Sequence, residues 1–310
     1  MHLGYVKFQE IVEGFDFLPE GERRKLLYEV FPRYVPLDYA YQTNFNGFKT
    51  FNFNGQVLFI SRFFFRGEKD QWGRPVLEAC IAAINFDEFN KFFRDIELVI
   101  SCLDQIAAEK TFEEKMLLIT LHEKSFFSFK ERFTELINLI KKFKPDFLSW
   151  ILGTIIDKKE LIIPPQEYSY SVMKLIFAFL PKTLLFNVST SSICTNPIAD
   201  DRENIVVSTV TVERTKSPTI DFEERRVRNG TKNELIYFIL DELVQNSWFN
   251  YSQIELFNFL IDYLDHTATG KIIEPTKLSE KLNAMKKTLN KTEELYRLLK
   301  KNLRKISRPR

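Results

Sequence analysis

The chain is poor in the residues from which most active sites are built. It holds only three histidines and three cysteines. Cys80, Cys102 and Cys194 stand far apart without CxxC spacing, so neither a metal site nor a disulfide framework is indicated. Cys80 and Cys102 fall in apolar runs, as small core residues do. His122 in LHEK and His266 in LDHT sit near predicted helix ends, where the helix dipole favours a surface imidazolium. No HExxH or GxSxG motif occurs. Glycine is scarce too, at ten residues, and none forms GxGxxG. Gly270-Lys271 lacks both the earlier glycine and the leading strand of a phosphate loop. These absences argue against a P-loop NTPase and a dinucleotide-dependent enzyme, and no cofactor or metal is expected.

Long apolar runs are missing as well. A spanning helix needs about eighteen such residues, and even VMKLIFAFL is broken by Lys174. The opening MHLGYVKFQE has no charged segment followed by an apolar one, so no signal peptide is expected. Sequons at Asn187, Asn229, Asn250 and Asn290 are then chance occurrences. The expectation is a soluble, cytoplasmic protein without a transmembrane segment.

What is present is phenylalanine, 31 residues of it, and a hydrophobic content of 45% with 28% charge, which is globular rather than disordered. Charge is unevenly spread. Lys277–Arg310 carries twelve Lys or Arg against three Glu, a net +9 in a chain of net +2, so the remainder is −7. Lys286, Lys287, Lys300, Lys301, Arg304 and Lys305 form the candidate basic tail. The apolar stripe of Leu278, Leu282, Met285 and Leu289 on this basic helix favours a solvated face or a partner-binding helix.

The pattern predicts α/β, or α+β, with a mixed sheet flanked by helices over residues 1–215. A polar linker or loop follows over 216–232, then a helical C-terminal region over 233–310. Tyr5–Phe8 suggests a short edge strand, and Pro19–Tyr28 a helix with a proline start. Asn46-Gly47 and Asn54-Gly55 signal turns. Gln56–Phe65 and Val76–Ile84 are too apolar to alternate, which predicts strands buried on both faces. The ten or so residues between them fit a long hairpin, since a crossover needs a dozen or more. Asn85 with Glu88 predicts a capped helix start. Helices are expected over Ile96–Ala108, Glu113–His122, Phe129–Phe143 (ended by Pro145), Phe147–Ile156 (capped by Asp146) and Tyr170–Leu180. Strands are expected at Leu161–Ile163, Leu185–Thr190 and Asn204–Val212, a βαβ-like order that implies some parallel pairing. Beyond the linker, Asn233–Val244, Ser252–Asp265 and Pro275–Ile306 predict helices.

The loop Arg66–Pro75 is the strongest candidate site. It sets Arg66, Trp72, Gly73 and Arg74 at one exposed end of the sheet. Trp and Arg dominate interface energetics, so a recognition loop follows. The alternative is a plain hairpin loop, with Trp72 folded back on the core and Arg74 salt-bridged.

Three blocks carry a resemblance. GFDFLPEGERRKLLYEV has a "G…L…ERR.LL" form. VLFISRFFFRGEKDQWGRPVLEACIAAINFDEF is strand, "GRP" loop, strand and helix cap. KKELIIPPQEYSYSVMKLIFAFLPKTLLFNVSTSS is strand, helix, "LLP..L" and a "FST"-like strand. In this order, over about residues 4–212, they resemble the N-terminal domain of GTPase-associated proteins of prokaryotic conflict and signalling systems. The third block is also loosely similar to the central part of DENN-type modules. IIPPQ and NVST depart from that pattern. The resemblance implies a non-catalytic regulator or scaffold beside a small GTPase, with Arg66, Trp72, Gly73 and Arg74 as contacts. Two alternatives stay open. One is a nucleic-acid-associated protein using the basic C-terminal helices, although no specific RNA-reading motif occurs. The other is an enzyme of unrecognised type.

Overall fold

The computed structural model describes residues 2–7, 10–31, 47–52, 57–92, 94–126, 129–194, 204–208, 216–245, 251–269 and 297. The fold is α/β with a mixed sheet. The chain divides into two compact units, each discontinuous in sequence. The first comprises 1–128, 160–178 and 185–217, the second 129–159, 179–184 and 218–310.

In the first unit the strands are His2–Lys7 (β1), Glu10–Gly14 (β2), Gly47–Asn52 (β3), Val57–Lys69 (β4), Pro75–Asn85 (β5), Leu161–Ile163 (β6), Thr190–Cys194 (β7) and Ile205–Ser208 (β8). Their order is β6-β8-β7-β3-β4-β5-β1-β2. β6 and β7 both run parallel to β8, and the remaining pairs in this unit are antiparallel. The parallel pairing expected of the βαβ-like stretch is therefore present. β1, expected at an edge, instead lies between β5 and β2. Its second partner β2 gives little sequence signal, because EIVEG is short and acidic.

β4 and β5 are buried on both faces, as their apolar composition requires. One face carries Val6, Phe51, Phe59, Phe63, Ala79, Ile81 and Ala83, packed with Leu26 and Val30 of the helix Glu20–Val30 (α1). Phe51 and Phe59, opposite each other in register, stack at 5.3 Å. Such a pair contributes about 0.5–1.5 kcal/mol beyond area burial. α1 has no basic residue in its last turn, so the sheet completes its C-terminus. Ser61 Oγ donates to Val30 O at 2.6 Å and Lys49 Nζ to Phe31 O at 3.3 Å. Lys49 is 1% exposed. Its cation sits where the carbonyl end of the helix dipole stabilises it.

The opposite face is covered by the helix Ile96–Glu109 (α3), which follows the short helix Phe86–Lys91 (α2). Asn85 Oδ1 accepts from Glu88 N at 2.8 Å and Asp95 Oδ1 from Leu98 N at 3.1 Å, so both helices begin on side-chain caps. Glu114–Phe126 (α4) follows. The apolar run at Leu185 differs from expectation. Lys182–Asn187 is helical and the strand begins at Thr190. Pro181 opens that helix, and an apolar run this short does not distinguish helix from strand.

The second unit holds the helices Phe129–Phe143 (α5), Pro145–Lys158 (α6), Glu234–Gln245 (α9) and Tyr251–Thr269 (α10). Ser169–Phe179 (α7) and Lys182–Asn187 (α8) precede β7. Pro145 starts α6 at its first turn, and Asp146, expected as its cap, instead pairs with Lys232 at 2.8 Å. Within 216–232, Thr219–Asp221 (β9) and Arg226–Arg228 (β10) form an antiparallel hairpin with Ile220 and Val227 buried. Asn233 caps α9 through Leu235 N and Ile236 N. The expected turn at Asn54-Gly55, the expected helix over Pro275–Ile306 apart from residue 297, and Lys286, Lys287, Lys300, Lys301, Arg304 and Lys305 lie outside the described residues.

Two glycines on helices have opposite surroundings. A Cβ on Gly153 of α6 would lie 2.5 Å from Thr231 O, whereas one on Gly21 of α1 would meet nothing within 4 Å. Gly153→Ala is therefore expected to lower the urea unfolding midpoint by about 1–3 kcal/mol in ΔG. Gly21→Ala is expected to raise it, by up to about 1 kcal/mol. Urea melts of the two variants at unchanged m-value check both signs.

Candidate functional site

β4 and β5 form a long antiparallel ladder that is regular from Val57↔Asn85 to Phe65↔Leu77. Pairing resumes only at Lys69↔Pro75, so Arg66, Gly67 and Glu68 bulge opposite Val76. Gly67 lies at φ +89, a conformation that costs glycine least. Beyond it the chain turns around the Asp70 carboxylate. Oδ1 accepts from Trp72 N and Arg74 N, each at 2.9 Å, and Oδ2 from Arg74 Nε at 2.6 Å. Gly73, at φ +78, supplies the left-handed residue this turn needs and donates its N–H to Asp70 O. Desolvation opposes ionisation of Asp70, but the bonds from Arg74 and Trp72 outweigh it and hold the carboxyl below its ordinary range.

Trp72 is 70% exposed, so the indole stands outward instead of folding onto the core. The Arg74 guanidinium lies over its ring at 4.8 Å. The salt bridge expected of Arg74 in the plain-loop reading is present, and the folded-back tryptophan is not. Trp72, Gly73 and Arg74 thus come together at the tip.

Arg66 is separated from them. Its Nε pairs with Glu78 Oε2 at 3.2 Å, its Nη2 donates to Ala107 O at 3.2 Å, and its guanidinium lies 5.0 Å from the Phe64 ring. Glu78 is 2% exposed and also accepts a short bond from Tyr5 Oη. The Tyr5 ring stacks on Phe112 at 5.1 Å. Four residues nearer the centre of β4, Arg62 pairs with Asp104 of α3 at 2.7 Å and donates to Gly47 O and Phe63 O. These polar groups lie on the α3-facing side of the sheet. Burial and the bond to Glu78 raise the Tyr5 hydroxyl, and burial pushes the Cys80 thiol up to about 12. Both stay protonated at neutral pH, so neither is poised as a nucleophile.

Glu78, Asp70, Tyr5 and Arg62 were not among the sequence candidates. A signal existed for two of them. Arg62 in FISRFFF and Glu78 in VLEACIAAI are lone charges in strands too apolar to be exposed, and such charges are buried only with partners. Among the described residues no group of three or more His, Cys, Asp or Glu is placed to hold a metal ion, and no helix is long and apolar enough to cross a membrane. His266 Nδ1 lies 2.8 Å from Asp262 O of its own helix, and His122 meets the Phe92 ring edge-on at 5.8 Å. No protein-family model matches the chain, and no curated protein matches it.

Because the folded-state value of Asp70 is lowered, its contribution is complete above the ordinary carboxylate range and is lost as pH falls through that lowered value. In a variant whose only tryptophan is Trp72 (Trp150→Phe, Trp248→Phe), acid titration is expected to shift the emission in one step ahead of global unfolding. Adding Asp70→Ala is expected to show the acid-state emission already at neutral pH and to abolish the step.

Proposed function

We propose that this protein is a non-catalytic regulator or scaffold that docks on a small GTPase through the β4–β5 hairpin tip. One observation carries the reading. A large indole is held outward, at 70% exposure, on a turn that its own Asp70 preorganises. A single exposed apolar side chain is ordinary, but an ordered Trp beside Arg is the composition of interface hot spots. Preorganisation matters because ordering a loop on binding weakens affinity. Trp72, with the Arg74 guanidinium over its ring, fits an apolar pocket. The choice of a GTPase as the owner of that pocket rests on the resemblance of the three sequence blocks. The regulator would act by binding one nucleotide state more tightly than the other, since only differential affinity shifts such an equilibrium. Its work is intracellular in this reading, in the cytoplasm of a prokaryotic cell.

The test uses the full chain and purified small GTPases of the source organism, loaded with GDP or a non-hydrolysable GTP analogue. One of them is expected to bind with a preference for one state and to change its exchange or hydrolysis rate. Trp72→Ala is expected to weaken that binding by at least about tenfold, as loss of a hot-spot tryptophan does. Binding that ignores the nucleotide state, or a Trp72→Ala variant that binds as well as the parent, contradicts the reading.

A further inference from the structure

Arg66 and Trp72 belong to one loop in sequence, yet the fold gives them different work. The regular ladder stops at Phe65↔Leu77, and the tip resumes pairing at Lys69↔Pro75. Between them lies the bulge, with Gly67 at φ +89 and open space around its Cα. A bulge bends and re-aims its strand, and one built on glycine has little intrinsic stiffness. Left to itself this joint would let the tip swing.

Two ion pairs flank it. Before Gly67, Arg66 is tied to Glu78 of β5 at 3.2 Å and to Ala107 O in the last turn of α3, also at 3.2 Å. The last turn of α3 has no basic residue, and beside its cap Lys110 the Arg66 guanidinium adds a second cation that its dipole favours. After Gly67, Glu68 is tied to Lys7 of β1 at 2.6 Å. Lys7 stands opposite Glu78 in the β1–β5 register, so both ties anchor to the same level of the sheet. Glu78 is fixed in turn by Tyr5.

We propose that Arg66 and Glu68 are positioning residues: their ion pairs to Glu78 and Lys7, made on either side of Gly67, set the angle at which the Trp72–Arg74 tip leaves the sheet. The inference deepens the docking reading and rests on it for its purpose, but its physical content concerns the free protein. Arg66 then acts through Trp72 instead of touching the partner.

Time-resolved fluorescence anisotropy of the variant carrying Trp72 alone reads the joint directly. Arg66→Met and Glu68→Gln are each expected to enlarge the nanosecond segmental component of the decay, by about twofold in amplitude. Lys7→Gln removes the same pair from its β1 end, away from the tip, and is expected to enlarge the component as Glu68→Gln does. A contact role for Glu68 would predict no effect of Lys7→Gln. If Arg66→Met does not fold, the exposed Lys7–Glu68 pair still decides the matter. Decays identical in the parent, Glu68→Gln and Lys7→Gln overturn the proposal. Decays that respond as expected while no GTPase binds leave the positioning role standing and remove the docking partner, so the two failures are distinguishable.

Discussion

A charge on a covered sheet face must be met there, and much of the first unit follows from that requirement. β4 and β5 are apolar enough to be buried on both sides, yet they carry Arg62, Arg66 and Glu78 on the side that α3 covers. Arg62 and Glu78 are buried, and leaving either unpaired there would cost several kcal/mol, whereas Arg66 is partly open to solvent. Arg62 meets Asp104, Arg66 meets Glu78 and the end of α3, and Tyr5 completes Glu78. The pairs therefore do more than neutralise charge. They also tie β1, β4 and β5 to one another and to α3 along the side that it covers.

The same rule operates on the other face with the roles reversed. There the unmet groups are the carbonyls ending α1, and the sheet supplies Ser61 and Lys49 to meet them. At the hairpin tip the unmet groups are backbone N–H, and Asp70 accepts from Trp72 and Arg74. The outcome is a scaffold whose polar groups are largely turned on one another, with the Trp72 indole left facing solvent. This contrast supports the reading of the tip as a docking element.

The apolar continuity of β4 and β5 made their burial legible, and the interval between them made the hairpin legible, because both depend on local composition. The caps at Asn85 and the amphipathic Phe129–Phe143 were legible for the same reason. Leu185–Asn187 was not, since a short apolar run between Pro181 and Ser189 fits helix and strand equally and tertiary packing decides. The interior place of β1 was not legible either, because its partner β2 carries a weak acidic pattern. At the site, Trp72, Gly73 and Arg74 were legible as a cluster because they are adjacent in sequence. The separate position of Arg66 was not, since it depends on where Glu78 and Ala107 fall across strand register and helix packing.

The proposed docking element is the tip, presented by the β4–β5 hairpin. The most direct measurement replaces residues 70–74 with a short Asn-Gly turn, which two-residue hairpins favour, and leaves the ladder below intact. An unchanged unfolding midpoint together with loss of nucleotide-state-dependent GTPase binding is expected. Full binding by a chain that has lost Trp72 and Arg74 but kept its fold would contradict it.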